Sequence, residues 1–227
     1  MKFVVTGTGH SGTTWVADAF TWMGFPCGHE SVYWWNEEMA GERWFGLRGE
    51  SSLAVAGYWN EIPTDWPALH VIRDPFKVLS SLHGEKFFFD ECDCHEPGAH
   101  RFSPYVLFME RHLPSCVAPA DPLGRAINWI VGWTEKIDLD AQWRPIRTEK
   151  IEDLSKDVDL LTDVVEWATD EKVSPMMVRG VQEALSSEVN AHKRAPLTWD
   201  IIMANPLGPK LAEFSIDRGY GGPDGIG

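Results

Sequence analysis

The chain has 227 residues, of which 44% are hydrophobic and 24% are charged, and this length is sufficient for one sizeable core. Its formal net charge of −14 argues against general nucleic-acid binding, which relies on a broad basic surface. No apolar run is long enough to span a membrane, and the first residues enter a strand without a signal-peptide pattern. We therefore expect a single cytoplasmic domain over residues 1–227.

The first motif begins almost at the first residue. The β-branched run Phe3–Thr6 predicts a buried strand, and Gly7, Gly9 and Gly12 follow it directly. Apolar residues then recur at helical spacing as far as Met23, before a glycine that suits a helix end. Because the loop leads into a helix N-terminus, its amides and the helix dipole favour an anion. The pattern predicts a phosphate-binding loop with donors from Ser11, Gly12, Thr13 and Thr14.

Other interpretations of the glycine loop stay open from the sequence. Gly7 and Gly12 have the spacing of a Walker A loop, but the lysine position of that motif holds Thr13. With Gly9, the glycines also fit the G-x-G-x-x-G pattern of dinucleotide-binding folds, which is a weak signal alone. The glycines could also merely turn the chain. The strand before them and the helix after them favour anion binding over that alternative.

A second short strand is predicted within Phe25–Ser31, ending in a polar turn. In a parallel sheet this turn would face the ligand, so His29 and Glu30 would lie near the glycine loop. A carboxylate there can act as a general base toward an acceptor hydroxyl, although Glu30 could equally cap or pair with the next segment. Glu50 is a second carboxylate candidate, just before a helix predicted to begin near Ser51 or Ser52.

The second motif joins a strand at Leu69–Ile72 to a helix in which Asp74 is the cap and Pro75 occupies the first turn. This order places Arg73 at the carboxyl end of the strand and Ser81 about two turns into the helix. Arginine suits a phosphate because its planar guanidinium offers paired donors and keeps its charge. The alternative is that Arg73 only pairs with Asp74 or a helix end.

These two motifs, Gly9–Trp15 and Val71–Pro75 through Ser81, resemble the phosphate motifs of sulfotransferases that use 3′-phosphoadenosine 5′-phosphosulfate (PAPS). The resemblance implies a P-loop-like fold, in agreement with the α/β/α three-layer domain and mainly parallel sheet that the order of elements predicts. It also implies sulfuryl transfer, without a required metal, to a hydroxyl or amine of an acceptor. By this resemblance, Ser11, Gly12, Thr13 and Thr14 hold the 5′-phosphosulfate, and Arg73 and Ser81 hold the 3′-phosphate.

Weaker likenesses extend along the chain. The segment Cys27–Ser31 is similar to the turn that supplies the catalytic glutamate of tyrosylprotein sulfotransferases, which favours Glu30 over Glu50. The segment Arg147–Leu154 resembles a degraded form of the family's strand ending in Glu-Asp-Leu. His10 stands where the family usually has Lys or Arg, and an imidazole carries full charge only when protonated. The resemblance thus implies Glu30 and His10 as catalytic residues.

Further along the chain, residues 83–118 have the composition of an inserted loop. Cys92, Cys94, His95 and His100 lie within it and could ligate zinc, but their spacing matches no standard finger and free thiols are the default.

In the basic run 192–194, Arg194 could close over the 3′-phosphate, with a solvated turn as the equal alternative. Residues 221–227 are predicted to be a flexible tail. Helices are predicted after Asp121, at Val158–Trp167 and at Met176–Leu185.

Two rival functions remain at this stage. A P-loop kinase or nucleotide hydrolase needs Mg²⁺ and normally a loop lysine, which this loop lacks. A nucleotide-binding protein without turnover is the other rival, because His10 replaces the usual cation. The sequence predicts a small-molecule or glycan acceptor but does not identify it, since a pocket rich in tryptophan is compatible with aromatic, lipid or sugar groups. It also leaves the oligomeric state open.

Overall fold

The computed structural model describes residues 1–33, 44, 46–85, 88, 104–119, 121–185 and 197–225. Its five strands form one sheet in the order β2-β3-β1-β4-β5, and every neighbouring pair is parallel. The strands are β1 (Phe3–Gly7), β2 (Cys27–His29), β3 (Gly49–Ser51), β4 (Ala68–Ile72) and β5 (Ile146–Lys150). The predicted α/β class with a mainly parallel sheet is confirmed.

The helices of the described ranges follow most of the predicted boundaries. They are α1 (Thr13–Trp22), α2 (Pro75–Gly84), α3 (Pro104–His112), α4 (Pro122–Asp140), α5 (Ile151–Leu154), α6 (Val158–Thr169), α7 (Pro175–Leu185), α8 (Trp199–Met203) and α9 (Gly208–Asp217). Short 3-10 segments lie at Leu53–Gly57 and Pro114–Cys116. Among these described helices, none is both long and apolar enough to cross a bilayer.

Local sequence signals explain several helix boundaries. The carboxylate of Asp74 accepts the amide of Phe76, and Pro75 opens α2, as predicted. The predicted cap at Ser52 is also confirmed, since its hydroxyl accepts the Ala54 amide, but the segment that follows is a short 3-10 turn. The Glu-Asp-Leu residues expected at a strand end lie in α5, because β5 ends at Lys150.

The described chain divides into two compact units. The first contains Met1–Arg73 and Lys136–Ala191, and thus the whole sheet with α1, α5, α6 and α7. The second contains Asp74–Glu135 and His192–Gly227, with α2, α3, α8, α9 and most of α4. The glycine loop and the second-strand turn both belong to the first unit.

The core of the first unit forms where α1 and α6 pack with β1. All five residues of β1 are buried, as expected for a central strand of a parallel sheet. Phe3 of β1 packs on Phe20 of α1 with ring centroids 4.6 Å apart. Leu161 and Val165 of α6 belong to the same core. Burying one such side chain contributes about 1.5–3 kcal/mol, so this packing holds β1 and α1 on either side of the glycine loop.

The second unit has its own aromatic packing. Trp129 and Trp133 of α4 are fully buried and stacked, with ring centroids 4.6 Å apart, and Phe108 of α3 meets Trp133 edge-on. Phe76 of α2 lies against Trp199 at the start of α8, with centroids 5.3 Å apart. These large side chains are structural, and they account for part of the chain's high tryptophan content.

Candidate functional site

The site is built at the carboxyl edge of the sheet between β1 and β4. β2 and β3 lie on one side of β1, whereas β4 and β5 lie on the other. The connection that leaves β1 therefore leads to β2, at one edge of the sheet, whereas the connection that leaves β4 leads to β5, at the other edge. This divergence between two neighbouring strands makes a topological switch point. Ligands of open parallel sheets bind in the crevice at such a point. The glycine loop follows β1 and Arg73 follows β4, so the two sequence motifs meet at this crevice.

Two glycines of the loop are required by its geometry. A Cβ on Gly7 would lie 2.4 Å from both the Ser11 Oγ and the Val71 carbonyl oxygen, which leaves no room for a side chain. Gly12 has φ +101°, a left-handed conformation, and its Cβ would lie 2.7 Å from Cγ1 of Ile151. The loop thus runs close under the end of β4 and against the start of α5. The alternative in which the glycines are only convenient turn residues does not explain these close approaches.

The N-terminus of α1 presents backbone donors at the loop. Gly12 is the N-cap, and no side chain of the described residues caps the helix. The first intrahelical bond runs from the Val16 amide to the Gly12 carbonyl, at 3.1 Å. The amides of Thr13, Thr14 and Trp15 precede that bond, so they lack an intrahelical acceptor, as do the first amides of helix N-termini that bind anions.

Ser11 lies on the inside of the loop. Its amide donates to the Thr8 carbonyl at 3.1 Å, which closes the loop. Its side chain is fully buried, and Oγ is oriented toward Gly7, with no hydrogen-bond partner among the described residues. Ser11 therefore lines the inside of the loop. Of the two threonines that follow, Thr14 is half-buried and Thr13 is nearly buried.

His29 at the end of β2 contacts the loop threonines. Its Nε2 lies 3.3 Å from the Thr13 hydroxyl and 3.1 Å from the Thr14 hydroxyl. Burial lowers the pKa of His29, which favours a neutral ring, and the carboxylate of Asp18 opposes this shift. A neutral ring with Nε2 unprotonated has one lone pair at that atom, which can accept from either hydroxyl and so orients the threonine side chains at the helix N-terminus.

Glu30 directly follows this histidine. It has φ +50°, and its amide donates to the Ser51 carbonyl at 3.1 Å, which attaches the turn to the end of β3. Burial, and secondly the negative charge of Glu50, raise the pKa of Glu30 to about 7. A carboxyl group that titrates near neutrality is suited to general-base chemistry. The structure therefore places Glu30 in the turn directly after His29, the residue that contacts the loop threonines.

Glu50 is placed in a structural position. It is fully buried in β3, and its Oε1 accepts the amides of Ser31, Val32 and Tyr33 at 2.7, 2.9 and 3.4 Å. Burial raises the pKa of Glu50, whereas these amide donors lower it. Glu50 was the second candidate for a catalytic carboxylate. It is enclosed in the protein and has no exposed surface for a substrate.

Arg73 reaches back from β4 to the glycine loop. Its Nη1 donates to the carbonyl oxygen of His10 at 3.0 Å. His10 has φ +65°, in the left-handed region that non-glycine residues rarely adopt. A positive guanidinium therefore lies beside the loop, where it can add charge to the donors of α1.

Ser81, Arg194 and the zinc candidates complete the set of predicted residues. Ser81 lies buried on α2, in the second unit. Arg194 and the zinc candidates Cys92, Cys94, His95 and His100 lie outside the described residues. Within the ranges that are described, no three His, Cys, Asp or Glu side chains are grouped so as to hold a metal ion.

Sequence reasoning placed His29 near the loop but did not assign it a role, and it did not find the contacts of Ser51. The hydroxyl of Ser51 donates to the Thr13 carbonyl at 2.7 Å. The register of the sheet, in which His29 pairs with Ser51, brings both to the loop. For His29 the signal was its position at the end of a predicted strand, since parallel strands end at the same edge. Ser51 had no such signal, because a helix and not β3 was predicted there.

Comparisons with known proteins add no family assignment, because no protein-family model matches this sequence and no curated protein does.

Proposed function

We propose that the chain is a sulfotransferase that moves a sulfuryl group from PAPS to a hydroxyl or amine of an acceptor, within a three-layer, P-loop-like fold. One observation carries the proposal. The turn bearing Glu30, whose pKa is raised to about 7, is joined through His29 to the threonines of an anion loop. A base beside a phosphosulfate site is the arrangement that sulfuryl transfer needs.

In the proposed reaction, Glu30 accepts the proton of the acceptor hydroxyl or amine. The acceptor oxygen or nitrogen forms a bond to sulfur, and the bond from sulfur to the bridging oxygen of the 5′-phosphate breaks. The electron pair remains on that phosphate, so the products are the sulfated acceptor and 3′-phosphoadenosine 5′-phosphate. The amides of Thr13 and Thr14, with His10, would stabilise the charge that develops on the leaving oxygens.

Arg73 is proposed to bind the 3′-phosphate, because it is a fixed cation at the end of β4 beside the loop. The corresponding assignments of Ser81 and Arg194 rest on the sequence resemblance alone. The acceptor is proposed to be a small molecule or a glycan. The donors in this scheme are amides, hydroxyls and a guanidinium, so the proposal requires no metal for donor binding.

The strand order favours this proposal over a dinucleotide-binding function. In the sheet β3 lies beside β1, whereas dinucleotide-binding folds have their second strand next to the first. Nucleotide binding without turnover is the second candidate, and the observation in its favour is that His10 occupies the position of the usual loop cation.

A thermal-unfolding screen tests the proposal. It compares 3′-phosphoadenosine 5′-phosphate without metal, ATP with Mg²⁺, and NAD. A ligand at about 100 times its dissociation constant adds about 2.7 kcal/mol of stability. For a chain of this size, that corresponds to a rise in Tm of roughly 5–10 °C. The proposal expects this rise with the bisphosphate alone, and stabilisation only by ATP with Mg²⁺ would reject it in favour of a kinase or hydrolase.

A further inference from the structure

The carboxyl end of β3 is joined to both halves of the candidate site. Glu50 accepts amides from the turn that follows Glu30, at 2.7 Å from Ser31 and 2.9 Å from Val32. The next residue, Ser51, donates its hydroxyl to the carbonyl of Thr13 in the first turn of α1, at 2.7 Å. Two consecutive residues therefore contact the turn of the candidate base and the anion loop.

Ser52 extends this connection. Its hydroxyl donates to the carbonyl of Tyr33 at 2.8 Å, and it accepts the amide of Ala54 at 3.0 Å. Side chains alternate between the two faces of a strand, so Glu50 and Ser52 point to one side and Ser51 to the other. This alternation agrees with the contacts, because Glu50 and Ser52 bind the 31–33 turn while Ser51 binds α1.

The three residues are enclosed in the protein, since the exposed fraction of each is 0%. Hydrogen bonds in such a position are strong because the surrounding dielectric is low, and bonds to a charged acceptor are stronger than bonds between neutral groups. The second carboxylate oxygen of Glu50, Oε2, is buried without a hydrogen-bond partner among the described residues. It lies beside Gly28, whose Cβ would approach it to 2.5 Å. Gly28 thus makes room for the carboxylate behind the turn.

We propose that Glu50, Ser51 and Ser52 form a positioning segment that holds Glu30 in a fixed position relative to the glycine loop. Glu50 is the main residue of this segment. Glu50 acts through the 31–33 turn and does not contact substrate. The catalytic meaning of this segment rests on the proposed function, whereas the positioning of Glu30 does not.

The negative charge of Glu50 also affects the pKa of Glu30. The carboxylate of Glu50 adds to burial in raising the pKa of Glu30. Among the described residues, the other titratable groups at this edge include Cys27 and His29 of β2, Tyr33 of the turn and Asp18 of α1. Of the causes that raise the pKa of Glu30, Glu50 is the charged one, so removing its charge should be visible in the titration of Glu30.

The test is a carboxyl NMR titration of the full chain, comparing wild type with Glu50→Gln. In wild type the midpoint of Glu30 is expected near 7. In Glu50→Gln it should fall, yet stay above the ordinary 4.5, because burial is the larger cause and is retained. Glu61→Gln is the matched control, since Glu61 is exposed and lies after the 3-10 segment. An unchanged midpoint in Glu50→Gln, or an equal fall in the control, overturns the proposal.

Amide exchange provides a readout of position. In Glu50→Gln, exchange at Ser31 and Val32 should become at least about tenfold faster, because a charged acceptor is replaced by a neutral one. If Glu50→Gln does not fold, the proposal is tested with the wild-type protein alone. Its Ser31 and Val32 amide shifts must then follow the titration of Glu50, and shifts that follow only Glu30 overturn the proposal. Failure of wild type to bind 3′-phosphoadenosine 5′-phosphate would instead reject the sulfotransferase function, and the NMR results would still judge the positioning segment.

Discussion

Arg73 and His10 are 63 residues apart in the chain, yet Nη1 of Arg73 donates a hydrogen bond to the carbonyl oxygen of His10 at 3.0 Å. The bond fixes the end of β4 to the glycine loop and supports the left-handed conformation of His10, which costs a non-glycine residue about 1 kcal/mol or more. Arg73 is therefore part of the loop's architecture as well as a source of positive charge.

Arg73→Ala should weaken binding of 3′-phosphoadenosine 5′-phosphate by roughly 10- to 100-fold, since it removes a charge-assisted contact. Binding of 5′-AMP should weaken much less, because AMP lacks the 3′-phosphate. Isothermal titration of both ligands measures the difference. Arg48→Ala is the matched control, because Arg48 pairs with Glu171 at 2.7 Å in a partly exposed ion pair. An equal loss for both ligands would show that Arg73 acts only through the loop.

Gly12→Ala should destabilise the protein by roughly 1–3 kcal/mol and abolish detectable anion binding, because φ is +101° and the new Cβ would lie 2.7 Å from Ile151. Adding Ile151→Ala should not restore binding, since it relieves the contact but not the backbone strain. Gly180→Ala is the control in α7, where nothing lies within 4 Å of a new Cβ and stability should stay equal or rise. Chemical denaturation measures the free energy of unfolding of all three variants.

Glu30→Gln should lower sulfuryl transfer by roughly 10²-fold or more while leaving product binding intact, because it removes the base but keeps the side-chain size. In wild type, transfer should increase as pH rises through about 7, since Glu30 then loses its proton. Single-turnover assays over pH 5.5–8.5, with a panel of phenols, sugars and amines, measure both effects. Unaltered transfer in the variant would move the base elsewhere.

The same substitution should change stability with pH. The pKa of Glu30 is raised on folding, so the folded state holds its proton more tightly and wild-type stability falls as pH rises from about 4.5 to about 7. Glu30→Gln removes this loss. Its Tm should therefore exceed that of wild type by roughly 2–5 °C at pH 8 and by little at pH 4.5. A difference that is the same at both pH values would contradict the raised pKa.

His10→Arg should raise transfer, because it supplies a fixed cation at the loop, and the gain should be larger at high pH, because an imidazole carries charge only when protonated. His10→Gln is the matched control, because it keeps a hydrogen-bond donor without charge and must adopt the same left-handed backbone conformation. Steady-state rates at pH 6 and 8 compare the three proteins. A decrease in His10→Arg at both pH values would indicate a positioned role for the imidazole itself.

The sequence by itself determined the local elements. The run Phe3–Thr6 with its glycines predicts β1, the loop and α1, and Asp74 with Pro75 predicts the start of α2. These signals are local because strand propensity, capping and glycine conformation depend on neighbouring residues. The same local signals identified Arg73 and Glu30 as residues at strand ends.

The tertiary structure alone decided which strand ends meet. Nothing local to β3 shows that it inserts between β1 and β2, and that insertion makes Glu50 a buried acceptor of three amides instead of a second base. It likewise brings Ser51 to Thr13. Strand order and register are set by long-range packing of buried faces, so contacts between residues far apart in the chain cannot be obtained from periodicity or capping.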